Sequence, residues 1–253
     1  MFFRVLTLFP DLIESVCSQS IIGRAREKGL LDIKAINIRD YAANRYGKVD
    51  DSLYGGGTGM LMQCQPIWEA WQEAWNQWRQ TEAVSGCRTL YLSPKGPVLN
   101  QQKVNELAAE PGLILLCGHY EGVDERVLQA IQAEELSIGD YILTGGEMAA
   151  AIVIDAVSRQ QTGVLPNAEA YTEESLYNGS LESRQYTKPE TWQGEGIPAV
   201  LLSGHHARIT RWRQLDGWRE TLLKRPDLFN QLQLTAQDYQ ALSQHLAEAA
   251  DGG

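Results

Sequence analysis

Through the first two-thirds of the chain, short apolar runs alternate with stretches in which apolar residues recur every three or four positions. The runs at residues 4–9, 32–38, 89–92 and 113–117 are rich in Leu, Val and Ile and read as buried strands. Between them, residues 11–27, 66–82, 100–109 and 124–133 carry helical spacing. A further helix is predicted from Thr144, where Thr144-Gly145-Gly146-Glu147 has the Thr-x-x-Glu form of a capping box ahead of the apolar residues 148–157. Strands alternating with helices predict an α/β fold, a mostly parallel sheet with helices on both faces. Trp68, Trp71, Trp75 and Trp78 fall on one face of the helix expected over 66–82. That spacing favours a core stripe or a subunit contact over a base-stacking platform.

From residue 160 to 198 the periodicity fails. This stretch is polar, carries prolines and glycines, and is long enough to be a functional loop or linker. Helical spacing then resumes at 205–214, 218–224 and 235–249, the last opened by Thr235-Ala236-Gln237-Asp238, and predicts a second, small helical domain. No internal repeat is present.

Composition narrows the class. The 253 residues are 43% apolar and 21% charged, which fits one large globular domain or one with a small partner. No apolar run approaches the ~18 residues of a membrane span, and the opening residues read as a strand, not as a secretory segment. Cys17, Cys64, Cys87 and Cys117 form no Cys-x-x-Cys pair, so neither a zinc knuckle nor a disulfide framework is indicated, and a cytoplasmic protein is expected. The net charge of −10 argues against a general nucleic-acid coat. Locally the balance reverses, because residues 208–225 hold Arg208, Arg211, Arg213, Arg219, Lys224 and Arg225 against only Asp216 and Glu220.

Three glycine-rich segments carry the candidate chemistry. Residues 50–60 place four glycines around Thr58 but lack the Gly-Lys-Ser/Thr of a P-loop. In residues 116–126 an apolar strand runs into Gly118-His119-Tyr120-Glu121-Gly122 and then into Asp124-Glu125-Arg126, the kind of strand end where open α/β sheets bind ligands. Residues 137–147 end in a glycine pair at a predicted helix start, whose free N–H groups suit a carboxylate or ring edges.

Together with Tyr91-Leu92-Ser93-Pro94, residues 155–159, Tyr186-Thr187-Lys188-Pro189 and the stretch from Val200 to Arg213, these segments resemble the bacterial tRNA (guanine-N1)-methyltransferases of the TrmD type, in the SPOUT superfamily. The resemblance implies a SPOUT donor-binding domain with a trefoil knot over residues 1–165, a linker carrying the catalytic segment over 166–198, and a helical tRNA-binding domain over 199–253. It implies S-adenosylmethionine bound by Tyr91, Leu92, Ser93, Pro94, Gly118, Tyr120, Ser137, Ile138, Gly139, Asp140, Tyr141, Ile142, Leu143, Gly145 and Gly146. Glu174 would be the general base toward guanine N1, Arg159 would stabilise the developing charge, and Glu121 would hold the flipped base. Asp50, Tyr54 and Gly55, with Arg208, Arg211 and Arg213, would meet the tRNA. A homodimer completing each site is implied, and magnesium is admitted during catalysis with no metal ligand assigned.

The departures from the family pattern are local. Glu173-Glu174-Ser175-Leu176 stands where the family has Glu-Asp-Ser-Phe. Residues 180–189 replace Leu-Leu-(acid)-x-Pro-x-Tyr-Thr-Arg-Pro, putting Arg184 at the proline and Lys188 at the arginine, and Thr58 changes the glycine loop. The leading reading is a methyltransferase acting on the guanosine 3′ of the anticodon. The alternative is a diverged paralogue that keeps the donor site and methylates another RNA or a small metabolite. Retention of Arg159 and Glu121 disfavours a non-catalytic binding module.

Overall fold

Five parallel strands form the centre of the computed structural model, which describes residues 1–81, 86–166 and 175–251. The chain divides into two compact units, Met1–Ala168 and Glu169–Gly253. In the first, the elements run β1 (Phe2–Thr7), α1 (Pro10–Cys17), α2 (Ser20–Glu27), β2 (Asp32–Asn37), β3 (Asp50–Ser52), β4 (Met60–Met62), α3 (Cys64–Arg79), β5 (Arg88–Leu92), α4 (Gln101–Ala108), β6 (Gly112–Cys117), α5 (Glu125–Ala130), β7 (Glu134–Leu136) and α6 (Glu147–Ser158). The sheet order is β2-β1-β6-β5-β7.

Alternation along the central strands divides the core. Phe3 and Val5 of β1, with Leu113 and Leu115 of β6, face Ile13, Val104, Leu107, Val153 and Val157 from α1, α4 and α6. Phe2, Leu6, Ile114 and Leu116 point the other way, onto Ile67, Ala70, Ala74 and Trp78 of α3 and Val127 of α5. Both faces of a parallel sheet must be covered because both are apolar, and the result is a three-layer unit. The tryptophan stripe belongs to this second layer. Trp78 is buried, Trp68, Trp71 and Trp75 are partly buried against the same core, and the Trp71 indole donates to Thr89 Oγ1 at 2.9 Å.

Several local expectations need correction. The helix expected over 11–27 breaks into α1 and α2, with Ser20 at a φ of 52°. The β7 strand and the β3–β4 hairpin are too short to show periodicity. The capping box at Thr144 does not form: α6 starts from Gly146 with no side-chain cap, and Glu147 is turned inward.

The second unit holds β8 (Thr191–Trp192), β9 (Glu195–Gly196), α7 (Ala199–Leu202), α8 (His206–Lys224), α9 (Pro226–Phe229) and α10 (Ala236–Asp251). Trp218, Phe229 and Leu242 form its core. The helices expected at 205–214 and 218–224 are one continuous helix, α8. Thr235 and Asp238 cap α10 reciprocally, each backbone N–H donating to the other's side-chain oxygen at 3.2 Å. The described part of the expected linker is packed on α8, with Ser183 buried and the Leu181 N–H donating to Thr221 Oγ1 at 2.8 Å.

Candidate active site

Beyond the carboxyl ends of β5, β6 and β7 lies a cavity of about 280 Å³. Three loops build it. The first leaves β5 at Leu92 and is closed against the strand beside it by bonds from Ser93 N–H to the Leu136 carbonyl (3.0 Å) and from Ser137 N–H to the Pro97 carbonyl (3.0 Å). Gly96 is required here, since a Cβ would stand 2.4 Å from the Glu135 carbonyl carbon. The second is the tight turn after β6, with Tyr120 at a φ of 58° and the Gly122 N–H returning to the His119 carbonyl. The third runs from Ser137 to Gly146 and docks beneath β6 through the Gly146 N–H, which donates to the Gly118 carbonyl at 3.1 Å.

The structure brings together most of the expected donor-site residues. Tyr91, Leu92, Ser93 and Pro94 line one wall, Gly118 and Tyr120 the next, and Ser137, Ile138, Gly139, Tyr141, Ile142, Leu143, Gly145 and Gly146 the third. Asp140 does not line the cavity and is exposed. His119, Gly122, Leu136, Thr144 and Ala149 line it as well and were not expected to. Among the lining residues Glu121 is the one carboxylate, and no Lys or Arg is present. Such a wall suits a neutral or cationic ligand better than a phosphate. A Cβ at Gly118 would meet the Tyr91 ring at 2.9 Å, so the bare backbone there keeps the space open.

A buried polar cluster holds the loop ends. The Glu147 carboxylate, 3% exposed, accepts from Thr7 Oγ1 at 2.5 Å and from His119 Nε2 at 2.8 Å. Burial pushes this carboxyl up, yet the bonds from His119 and Thr7 outweigh it and hold the group below its usual value. Three elements, β1, the turn after β6 and the start of α6, are thereby pinned at one point. Nothing in the sequence pairs Thr7 with Glu147, which lie 140 residues apart.

Glu121 sits where the other glycine-rich segment arrives. Its N–H donates to the Met60 carbonyl at 3.0 Å, and the Met62 N–H donates to the Gly122 carbonyl at 3.0 Å, so β4 runs along the turn. Gly59 is bare for a reason: a Cβ would fall 2.1 Å from Glu121 Cγ. Asp50 is buried at the base of this hairpin, whereas Tyr54 and Gly55 stand exposed near its tip.

Arg159 is not brought to the cavity of its own chain. It caps the far end of α6, and twelve residues at ~1.5 Å each put roughly 18 Å between it and Gly146. Glu174 lies outside the described residues. In the second unit Arg208 and Arg213 are exposed, while Arg211 is engaged with Gln214 and Asp238. Among the described residues no group of three His, Cys, Asp or Glu side chains could hold a metal ion.

Comparison with known proteins agrees with this geometry. A family-wide sequence model described as tRNA (Guanine-1)-methyltransferase TrmD matches residues 1–231. A tRNA (guanine-N(1)-)-methyltransferase of Ruminiclostridium cellulolyticum is 50% identical over 232 residues, covering 92% of this chain and 97% of its own. Proteins of the same name from Clostridium beijerinckii and Alkaliphilus oremlandii are 48% and 45% identical, covering 94% and 96% of this chain and 96% and 98% of their own. With its cavity built from the segments that carry the resemblance, and its matches running nearly end to end, the chain belongs to the TrmD family of tRNA (guanine-1)-methyltransferases.

Proposed function

We propose that the protein transfers a methyl group from S-adenosylmethionine to N1 of guanine in tRNA, at the guanosine 3′ of the anticodon. The observation that carries this reading is the convergence of residues 91–94, 118–122, 136–139 and 141–146 on one cavity free of lysine and arginine. The bare glycines fit an adenosyl group, because they let backbone N–H and C=O groups face the ring edges directly. When bound, the donor supplies an electrophilic sulfonium methyl. The chain's own residues do the rest: Glu174 takes the N1 proton, Arg159 stabilises charge growing on the guanine oxygen, and Glu121 fixes the base beside the cavity. Arg208, Arg211 and Arg213 meet tRNA phosphates, contacts that position without specifying. The resemblance admits magnesium during catalysis, and among the described residues no group of three His, Cys, Asp or Glu side chains stands ready to hold it.

The active form is a homodimer. Arg159 stands about a helix length from the cavity of its own chain, so a second subunit is the source of that cation. The side of the first unit formed by α1 and α6 exposes Leu12, Val16, Met148 and Ile152, an apolar face of the kind subunits cover. The trefoil knot that the resemblance implies belongs to this reading, with the three loops around the cavity as its place in the chain. No helix among the described residues is long and apolar enough to cross a membrane, and the reading places the enzyme in the cytoplasm with its substrate.

The test is methyl transfer from labelled S-adenosylmethionine to a tRNA transcript with guanosine 3′ of the anticodon, beside a transcript with adenosine there. Label in the first alone supports the proposal. Donor binding without label in either transcript favours the diverged paralogue. Glu174→Gln should lower kcat by ~10²–10⁴, the range for a lost general base.

A further inference from the structure

Between β2 and β3 the first unit carries a turn that the donor cavity does not use. Residues 39–48 hold Arg39, Arg45 and Lys48 against Asp40 alone, a local excess of positive charge in a chain of net charge −10. Asn44 closes the turn. Its Oδ1 accepts the N–H groups of Tyr46 at 3.0 Å and Lys48 at 3.1 Å, and its Nδ2 donates to the Lys48 carbonyl at 2.7 Å. Arg39 Nη1 donates to the Gly47 carbonyl at 3.1 Å, and Gly47, at a φ of 66°, returns its N–H to the Asn44 carbonyl at 3.2 Å. An asparagine bonded in this way to the backbone just after it fixes a turn without help from a sheet. The stem is anchored too, with Val49 buried and Tyr41 and Ala42 packed against the core layer that contains α3.

What the turn presents to solvent is a cation stacked on an aromatic ring. Tyr46 is 77% exposed, the Arg45 guanidinium carbon lies 4.8 Å from its ring centre, and the same guanidinium bonds the Tyr46 hydroxyl. Arg45 and Lys48 are exposed, and neither forms an ion pair with a described residue. Of the acids that follow, Asp50 is buried, and Asp51, within range of the Lys48 charge, accepts from the Ser52 N–H at 2.8 Å. A ring left this far in water, beside two unpaired cations on a fixed backbone, contributes nothing to the core.

Two ladders tie the turn to the cavity. Gln63 donates its N–H to the Val49 carbonyl at 2.8 Å, Asp50 pairs with Met62, and β4 in turn runs along the loop that follows β6. Two steps of ~4.8 Å place the root of the turn roughly 10 Å from Gly122 in the cavity wall. We propose that residues 44–48 are an RNA-binding element of the first unit, in which Tyr46 stacks on an unpaired base of the acceptor and Arg45 and Lys48 take the flanking phosphates. This rests on the reading of an RNA acceptor. Stacking suits a loop, whose bases are splayed, and not a duplex, whose bases are covered by their neighbours. Cations kept clear of acids can meet phosphate without first giving up a partner. A small metabolite held at Glu121 would not span the distance to the turn, so the same feature weighs against that acceptor.

Binding is measured by fluorescence anisotropy with three labelled RNAs: the guanosine tRNA transcript, a stem-loop of its anticodon arm, and a blunt duplex of equal length. Tyr46→Ala should weaken the transcript and the stem-loop by ~5–100-fold, the range for one lost stacked base, and leave the duplex within twofold. Tyr46→Phe keeps the ring and should bind as the parent does. Arg45→Ala and Lys48→Ala should each weaken both loop RNAs and reduce the slope of log Kd against log salt by about 0.7, the value for one phosphate on a single strand, whereas Tyr46→Ala should leave that slope unchanged. KM for the transcript should rise with the loss of affinity, while S-adenosylhomocysteine binding, Tm and sedimentation stay parental. Parental loop binding by Tyr46→Ala and Arg45→Ala, in a protein that methylates the transcript, overturns this proposal and leaves the acceptor reading standing. Equal weakening of the duplex by Tyr46→Ala also overturns it, as does a loss of binding that comes with a fall in Tm or in sedimenting mass. Failure of the parent to bind or methylate any tRNA removes the RNA acceptor, and this proposal with it.

Discussion

Replacing Gly146 by alanine tests whether the cavity wall is set by backbone contact. Gly146 has a φ of −80° and a ψ of −8°, which alanine adopts without strain, so the effect is steric alone. The added Cβ would stand 2.7 Å from Cys117 Cα and 3.0 Å from Gly118 N, atoms of the central strand and its exit that have no rotamer to change. Reaching an ordinary contact of 3.4 Å requires the start of α6 to retreat by about 0.7 Å. Overpacking of this kind costs ~1–3 kcal/mol. The same retreat stretches the bond from Gly146 N–H to the Gly118 carbonyl beyond useful range, a further ~0.5–1.5 kcal/mol. Together these amount to roughly 2–4 kcal/mol, or about 4–16 °C in Tm for a unit of this size. The displaced wall should weaken S-adenosylhomocysteine binding by ~10-fold or more, about 1.4 kcal/mol. Gly55→Ala is the matched control: its Cβ meets nothing within 4 Å, and its φ of 88° adds local strain without touching the cavity. Calorimetric titration and scanning calorimetry on both variants give the answer. Near-parental donor affinity and Tm in Gly146→Ala, or equal donor loss in Gly55→Ala, would refute the reasoning.

Burial raises the Asp216 carboxyl, but the Arg184 bonds outweigh it and leave the folded value below the unfolded one. Its stabilisation is therefore present above about pH 4 and lost as the pH falls through the lowered folded value. Scanning calorimetry from pH 7 to 3 should show that loss, and Asp216→Asn should flatten it. Arg184→Ala should destabilise the second unit by ~2–3 kcal/mol, below the usual range for a broken buried pair because the Arg184 N–H remains and its side chain is partly exposed. Burial pushes the Cys17 thiol up to about 11 and the Cys87 thiol up to about 12, and holds Cys117 well above the usual thiol value. A thiol reagent at pH 7.5 should thus modify the native protein slowly and at Cys64 first, the least buried of the four, with all four reacting after denaturation. Ile152→Asp on the exposed face of α6 should convert a sedimenting dimer to monomer and abolish methyl transfer while leaving donor binding measurable; an active monomer would sink the dimer reading.

How far the sequence carried depended on how local each signal was. The four long strands and most of the helices were legible because each buries its own apolar pattern, as Phe2–Thr7 and Gly112–Cys117 do in full. β7 was not, because Glu134-Glu135-Leu136 offers one apolar residue and owes its pairing to Leu90–Leu92 alongside. That residues 91–94, 118 and 120 and most of 137–146 share one cavity was legible from the motif segments. His119 as a wall residue and the Thr7–Glu147 bond were not, because the second partner is set by the fold and not by spacing. The failed capping box shows the same limit. Thr144 and Glu147 have the right separation, but half-buried His119 and buried Thr7 hold the Glu147 carboxylate instead.

The departures from the family pattern make sense by what each side chain touches. Thr58 is exposed in the hairpin loop, and nothing in the structure explains it. Lys188 is exposed and keeps the charge of the arginine it replaces while losing the bidentate fork. Arg184 differs from both, because its N–H and guanidinium meet a fully buried aspartate, and a buried carboxylate is tolerated only where such partners exist. The pair stands beside Gly217, whose bare backbone lets the segment lie on α8, and little more than a turn before Thr221, which accepts the Leu181 N–H. Restoring the family proline at Arg184 would remove both of its donors from the buried Asp216 carboxylate, and so would loosen the packing of this segment on α8 where the family residue would be expected to tighten it.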